Sequence, residues 1–288
     1  MSTRHPIIAL TGSSGAGTTT SGLAMQKIFK EEKIRAAVVE GDSYHRYTRD
    51  QMAALASEGK YGHWNHFSPA ANYVDKLEAL FADYAASGSG RYRHYVHDED
   101  MPLLKQGYQP GTFTPWRDLP SDTDCLFYEG LHGGLKVGQY NVVRHVDLLI
   151  GVAPIVNLEW IQKIYRDTHV RGCSKEAVVS TILNRMEDYV RYIVPQFART
   201  DINFQRVPTV DTSDPFIMQD IPSEDESMVV IRFKHYQEVD FPYLINMIPD
   251  AFISRYDTIV IPGNKLTLAM DFIVRPRVID LVEAGRKV

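Results

Sequence analysis

Three groups of residues in this chain have the types and spacing to do chemistry. The first is GSSGAGTTT, Gly12 to Thr20, directly after the apolar run Pro6-Ile7-Ile8-Ala9-Leu10. Gly12 and Gly17 hold the spacing of the phosphate-loop pattern G-x-x-x-x-G-K-[ST], and Thr19 holds its hydroxyl position. Thr18 stands where that pattern has lysine. Backbone N–H groups in such a loop, backed by the N-terminus of the next helix, form an anion site without any lysine side chain. Ser13, Ser14, Gly15, Ala16, Thr18 and Thr20 therefore read, with the two glycines, as a nucleotide-phosphate cradle. Thr19 reads as a hydroxyl able to hold Mg²⁺. A glycine turn that is serine-rich by chance is the plainer alternative.

The second group is acidic. Asp42 lies in EGDSYHRYTR, just past an apolar stretch, and Glu129 lies in FYEG. A carboxylate at a strand's carboxyl end can take a proton from a substrate hydroxyl or help hold magnesium. An Asx turn at Asp42, or an idle acid at Glu129, would look the same in isolation. His45, Arg46 and Arg49 follow closely, and spacing i, i+4 lets two of them share one face of a short helix. Arginine can clamp a phosphate bidentately. His97, in HYVHDED, is the weakest member, since such a histidine is usually surface.

The third group is KIYRDTHVRGCSKE, which packs Lys163, Arg166, His169 and Arg171 around Asp167. On a helix, Leu158, Ile161 and Ile164 face inward and the cations share one side. Cations at a helix C-terminus also suit the helix dipole, which is the bland explanation.

The positions of these groups fix which elements must carry them. Pro6–Thr11 reads as a buried strand, Ser21–Glu32 as a helix, Ala36–Glu40 as a second strand, Cys125–Tyr128 as a third and His145–Val152 as a fourth. That alternation points to an α/β fold with a mostly parallel sheet flanked by helices. A long insert, about 43–124, holds a helix over Asn72–Ala86. It also holds strand-like runs at Arg91–His97 and Thr112–Trp116, expected to form a small antiparallel extension of the sheet. Pro154–His169 and Ser174–Ile193 read as helices of a lid, about 154–195, with Ser174 capping the second. Met228–Phe233 and Thr258–Ile261 read as later strands, and Leu266–Glu283 as a closing helix. With no repeat or linker, residues 1–288 read as one domain.

Composition sets limits. With 288 residues, 44% hydrophobic and 23% charged, the chain is an ordinary globular one. A net charge of -5 does not suggest a nucleic-acid partner. The longest uncharged apolar stretch, Leu148 to Val156, is too short to span a bilayer. Two cysteines, Cys125 and Cys173, make no disulfide framework, and no export signal is visible, so a cytoplasmic location is expected.

The third group also carries a family resemblance. The pattern K-[apolar]-x-R-D-x-x-x-R-G-x-[ST]-x-E is matched at every specified position from Lys163 to Glu176. With GSSGAGTTT, EGDSYHR, FYEGLHG, IVPQF, DINFQRVPTVDTS and VIPGNKL, the chain resembles the phosphoribulokinase family, within the uridine-kinase-like P-loop kinases. The likeness runs over nearly the whole chain and is nearest to the shorter, proteobacterial type.

That resemblance implies a P-loop kinase fold and a reaction in which ATP, with Mg²⁺, phosphorylates O1 of ribulose 5-phosphate. Asp42 would be the general base, Glu129 the magnesium acid, and Asp167 a second acid near metal or phosphates. His45, Arg49 and Arg171 would bind the sugar phosphate, with His97 a further contact. Lys163 and Arg166 would sit over the transferring group on the lid, replacing the lysine missing at Thr18. Arg232, Arg255 and Arg185 match effector positions, for a homo-oligomer (an octamer by resemblance) activated by NADH and inhibited by AMP. The cysteine that gives plant-type enzymes a redox switch is absent from Gly12–Thr19. A uridine-kinase-like nucleoside kinase is one alternative. A nucleotide sensor without catalysis is another, favoured by Thr18 and opposed by Asp42, Glu129, Lys163, Arg166 and Asp167.

Overall fold

The computed structural model describes residues 4–13, 18–57, 64–218 and 220–287. An eight-stranded sheet runs through the molecule. Its strands are β1 (Ile7–Thr11), β2 (Ala36–Glu40), β3 (Cys125–Gly130), β4 (Leu148–Pro154), β5 (Ile202–Pro208), β6 (Ser227–Phe233), β7 (Phe252–Arg255) and β8 (Thr258–Pro262). They lie in the order β7-β8-β6-β5-β4-β1-β3-β2. The five strands from β5 to β2 pair in parallel, and β6, β8 and β7 continue the sheet in antiparallel fashion.

The main helices are α1 (Thr18–Glu31), α2 (Arg49–Ser57), α3 (Val74–Ser87), α4 (Val156–His169), α5 (Lys175–Asp188) and α6 (Leu266–Arg286). Side-chain alternation along β1 divides the core. Ile8 and Leu10 pack with Met25 and Ile28 of α1 and Met270 and Val274 of α6. Ile7 and Ala9 pack with Leu77 and Phe81 of α3 on the opposite face. Each large side chain so buried contributes roughly 1.5–3 kcal/mol. A parallel strand covered on both faces is apolar throughout, which is why β1 reads as an unbroken apolar run.

The carboxyl ends of β1, β2, β3 and β4 share one edge. β1 lies between β3 and β4, the place where connections diverge to the two faces and leave a crevice for ligands. All three chemical groups of the sequence project from this edge.

Several expectations need correction. The antiparallel extension exists at the opposite edge from the insert. Arg91–Tyr92 and Arg117–Asp118 form a separate two-stranded ribbon, prolonged by a bridge between Tyr95 and Phe113. Those segments satisfy their backbone groups on each other, as in Val96 N–H to Thr112 O at 2.9 Å and Thr114 N–H to His94 O at 2.9 Å. The fourth strand starts at Leu148, because Val142–His145 is a 3₁₀ turn. Asp147, between them, accepts the Ile7 N–H at 2.9 Å. The DINFQRVPTVDTS segment supplies a strand that the pattern of the chain does not announce, β5, with Ile202 and Phe204 alternating into the core. The second lid helix ends at Asp188 in a wide turn, Tyr189–Ile193. Ser174 does cap it, accepting the Ala177 N–H at 3.2 Å.

Candidate active site

Asp42 is placed by a backbone crossing. Glu40 ends β2 in direct register with Glu129 of β3, and the chain then turns through the 3₁₀ segment Gly41–Tyr44. Gly41 and Gly130 pass so closely that a Cβ on Gly130 would lie 2.7 Å from the Gly41 Cα. Only residues without a side chain allow that approach. It sets Glu40, Asp42 and Glu129 on one rim.

The Asp42 carboxylate is held from several sides. His45 Nε2 lies 3.1 Å from its Oδ1, and His97 Nε2 lies 3.8 Å from its Oδ2. The other His45 nitrogen, Nδ1, is 2.7 Å from Asn72 Oδ1. Asn72 spends its amide hydrogens on the carbonyls of His66 (3.0 Å) and Ser68 (2.7 Å), so its oxygen accepts and His45 Nδ1 donates. The His45 ring also stacks on His66 at 3.8 Å. Asp42 sits in a cleft, packed around by protein, yet 40% of its side chain remains open. Burial would raise its pKa, but His45, with His66 and His97, outweighs burial and holds the carboxyl well below the usual range. Asp42 is thus ionised at neutral pH.

Glu129 is in the opposite condition. Burial and the charges of Glu40 and Asp42 push it up to about 7. Its carboxylate rests against α1, where a Cβ on Gly22 would come 2.4 Å from Oε2. An acid packed against the first turns of the helix that follows the loop is chemically suited to Mg²⁺. Among the described residues no three His, Cys, Asp or Glu side chains converge as an all-protein metal cage. That suits Mg²⁺, which keeps waters and binds through one or two carboxylates plus phosphate oxygens.

Of the phosphate loop, Gly12 and Ser13 are described. Ser14, Gly15, Ala16 and Gly17, and the side chains of Thr18 and Thr19, lie outside the described residues. The Gly12 N–H reaches Gly130 O at 3.3 Å. Ser13 is buried, and its hydroxyl faces the Glu159 carboxylate without reaching hydrogen-bonding geometry with any partner among the described residues. Thr20 is exposed and lines a recess with Val152, Phe204, Arg206, Val229 and Leu266. The recess holds about 40 Å³, room for a water or two, and its lining includes Glu224 as well as Arg206.

The lid group folds onto itself. Leu158, Ile161 and Ile164 are buried as their spacing requires. Asp167 accepts from Lys163 through Oδ2, and from Arg166 and Arg171 through Oδ1, each at 3.1 Å. Burial alone would raise the Asp167 pKa, but Lys163 and Arg166 outweigh it and lower it. Lys163 is lowered by burial and then by Arg185. Arg185 therefore stands with the lid cations, apart from Arg232 and Arg255. One turn before Lys163, Glu159 is buried and accepts from Tyr189 Oη at 3.0 Å. Through Glu159 and Ser13 the base of α4 meets the start of the loop.

The remaining candidates are placed as follows. His45 precedes α2, whereas Arg49 opens it, so the two share no helix face. His45 is buried and turned to Asp42. Arg49 forks onto Asp98, both contacts 2.8 Å, and the same Asp98 lies within electrostatic reach of Arg171. The structure thus brings Arg49, Arg171 and His97 to one side of the cleft. Asp167 is committed to cations, whereas Glu129 lies against the helix that follows the loop. Arg232 donates to Phe197 O (2.8 Å) and Thr200 Oγ1 (3.2 Å). Arg255, on exposed β7, pairs in register with Thr258, which pairs with Arg232, so both arginines lie in one row.

Sequence reasoning missed Glu40, His66, Asn72 and Glu159. Glu40 had a signal, because Glu-Gly ends two successive strands, at Glu40-Gly41 and Glu129-Gly130. The others depend on contacts far apart in sequence and left none.

Comparison with known proteins bears on this arrangement. Residues 7–213 match the model of the "Phosphoribulokinase / Uridine kinase family". A phosphoribulokinase of Xanthobacter flavus is 56% identical over 290 residues, covering 100% of this chain and 99% of that one. One from Nitrobacter vulgaris is 54% identical over 287 residues, covering 99% of each. A solved phosphoribulokinase structure from Rhodobacter spheroides superposes with a TM-score of 0.89 at 48% identity, covering 99% of both chains.

Proposed function

The chain belongs to the phosphoribulokinase / uridine kinase family, and from that premise we propose that it transfers a phosphoryl group from ATP to O1 of D-ribulose 5-phosphate. The products are ribulose 1,5-bisphosphate and ADP. The observation that carries the reading is Asp42, an ionised carboxylate in an open cleft beside Glu129 and facing basic groups.

ATP with Mg²⁺ supplies the phosphoryl group and part of the positive charge its transfer needs. Glu129 and Thr19 would hold the metal. Asp42 takes the O1 proton. Its Oδ1 is committed to His45, so Oδ2 receives it. Arg49, Arg171 and His97 orient the sugar phosphate, and His45 fixes the base from behind. Lys163, Arg166 and Arg171 exchange the Asp167 carboxylate for phosphate oxygens as the lid closes, which also excludes water. This relocated cation is how Thr18 is compatible with activity. The whole chain acts as one domain with the insert and lid flanking the cleft.

Regulation follows the same reading. NADH would act at the row of Arg232 and Arg255, supported by their register and by the exposure of β7. Exposed Phe252, Ile253 and Tyr256 on that edge suit a homo-oligomer. A coupled assay of ATP consumption tests the main proposal. Turnover is expected with ribulose 5-phosphate and not with uridine. Equal turnover with uridine would defeat it.

A further inference from the structure

Four backbone carbonyls line the turn that carries Asp42, and each must find a donor. Asp42 O accepts from the His45 N–H at 3.2 Å, and Tyr44 O from the Tyr73 N–H at 2.7 Å. The other two, Ser43 O and His45 O, both face the guanidinium of Arg93. Arg93 Nε donates to Ser43 O at 2.9 Å, and Nη2 to His45 O at 2.5 Å. One rigid fork therefore ties the residue after Asp42 to the residue that holds it.

Arg93 is itself fixed. Its guanidinium lies 3.6 Å over the Phe113 ring, 4.8 Å from Trp116 and 5.6 Å from Tyr73. Such aromatic faces hold a cation in place and shed its water. It stands in the stretch between the Arg91–Tyr92 strand and the Tyr95–Phe113 bridge. Tyr44 Oη donates to Arg91 O at 2.8 Å, joining the turn to the same ribbon. The insert thus reaches the cleft as a brace for the Asp42 turn.

We infer that Arg93 is a positioning residue for the general base, holding the Asp42 turn through paired hydrogen bonds to Ser43 O and His45 O. The inference rests on Asp42 being the base. Lysine cannot substitute, because an ammonium has no planar fork to span two carbonyls. Loss of the fork lets the turn relax and moves Oδ2 relative to the acceptor hydroxyl. A displacement near 1 Å is enough to cost about 10²-fold in rate.

The test uses full-length Arg93→Lys and Arg93→Ala beside Asp42→Asn. Arg93→Lys should lose about 10²-fold in kcat with KM for ATP unchanged. Arg93→Ala should lose at least as much, and millimolar guanidinium should restore part of it by refilling the space. If the alanine variant does not fold, the lysine variant carries the test. Adding Arg93→Ala to Asp42→Asn should cost little more, because the fork acts through the base. Wild-type kcat in Arg93→Lys beside an inactive Asp42→Asn would overturn the brace and spare the base. A raised KM for the sugar phosphate at constant kcat would also overturn it, marking a substrate contact instead. Turnover surviving in Asp42→Asn would remove the base reading and this inference with it.

Discussion

The Asp42 turn and the lid helix α4 meet across one cleft, but they are built on opposite terms. Three carbonyls of the turn, Ser43 O, Tyr44 O and His45 O, are tied to distant scaffold, and its carboxylate is paired with a buried histidine while Oδ2 stays available. The lid cations are tied to one another's neighbour: Lys163, Arg166 and Arg171 all spend contacts on Asp167, four residues from Lys163 and four from Arg171. The turn is organised before substrate arrives. The cations of α4 are neutralised locally by Asp167. On the function proposed above, such a site keeps its base fixed and brings its positive charge with closure, so that charge assembles only around a bound nucleotide.

The sharpest way to break this contrast is at the base. Asp42→Asn keeps shape and loses proton affinity. It should lower kcat by about 10²- to 10⁴-fold while leaving ATP binding near wild type. Retained turnover, measured by coupled assay, would mean the fixed half of the site is not the chemical half.

The next test compares two positions for one cation. Lys163→Met should lower kcat by about 10²- to 10³-fold, the scale of removing a charge-stabilising donor. Thr18→Ala should cost only a few-fold. Removing Lys163 also leaves Asp167 with two cations in place of three, so the thermal midpoint should be read alongside. Equal losses at the two positions would show that the cation had not moved to the lid.

How much of this was legible beforehand differs between the two halves. The helix and its cations were readable, because Lys163, Arg166 and Asp167 fall at helical spacing over buried Leu158, Ile161 and Ile164. So was the edge of the sheet, since β2 and β3 are short apolar runs ending in acid or glycine and β1 runs straight into Gly12. The framework of the turn was not. His45 looked like a phosphate ligand, but Asn72 and His66, 27 and 21 positions on, turn it toward Asp42. Arg93 looked like part of a strand in an extended sheet. Its role depends on a ribbon that packs away from the sheet, and local periodicity carries no record of which ribbon meets which turn.

Stability against pH sharpens the contrast on the strand side. His132 is buried, with Nε2 3.1 Å from Phe67 O, and burial lowers it to about 4 from 6.5. Its contribution is full above 6.5 and is lost as pH falls through 4, up to about 3 kcal/mol. Glu129, raised to about 7 from 4.5, has the opposite sign. It favours the folded state below 4.5, and that stability is lost as pH rises through 7. Without Mg²⁺, Glu129→Gln should therefore lose thermal stability more steeply than wild type as pH falls from 6.5 to 4. His132→Gln should lose it more steeply as pH rises from 4.5 to 7. Two variants with the wild-type profile would show that neither group is perturbed.

The smallest expected effect lies where the two halves touch. Tyr189 donates to Glu159, and the other face of that carboxylate meets Ser13 at the start of the phosphate loop. Tyr189→Phe removes one hydroxyl and leaves the ring packed with Leu131 and Ile193. A buried carboxylate that loses a donor costs about 1–3 kcal/mol, so the thermal midpoint should drop by several degrees. If Glu159 only stabilises the lid, the kinetics stay put. If it aligns lid and loop, KM for ATP rises several-fold while KM for the sugar phosphate does not. The second pattern is expected, because Ser13 is the side of the contact nearest the nucleotide. A rise confined to the sugar phosphate would place Tyr189 and Glu159 with the base side of the cleft and blur the division between the two halves.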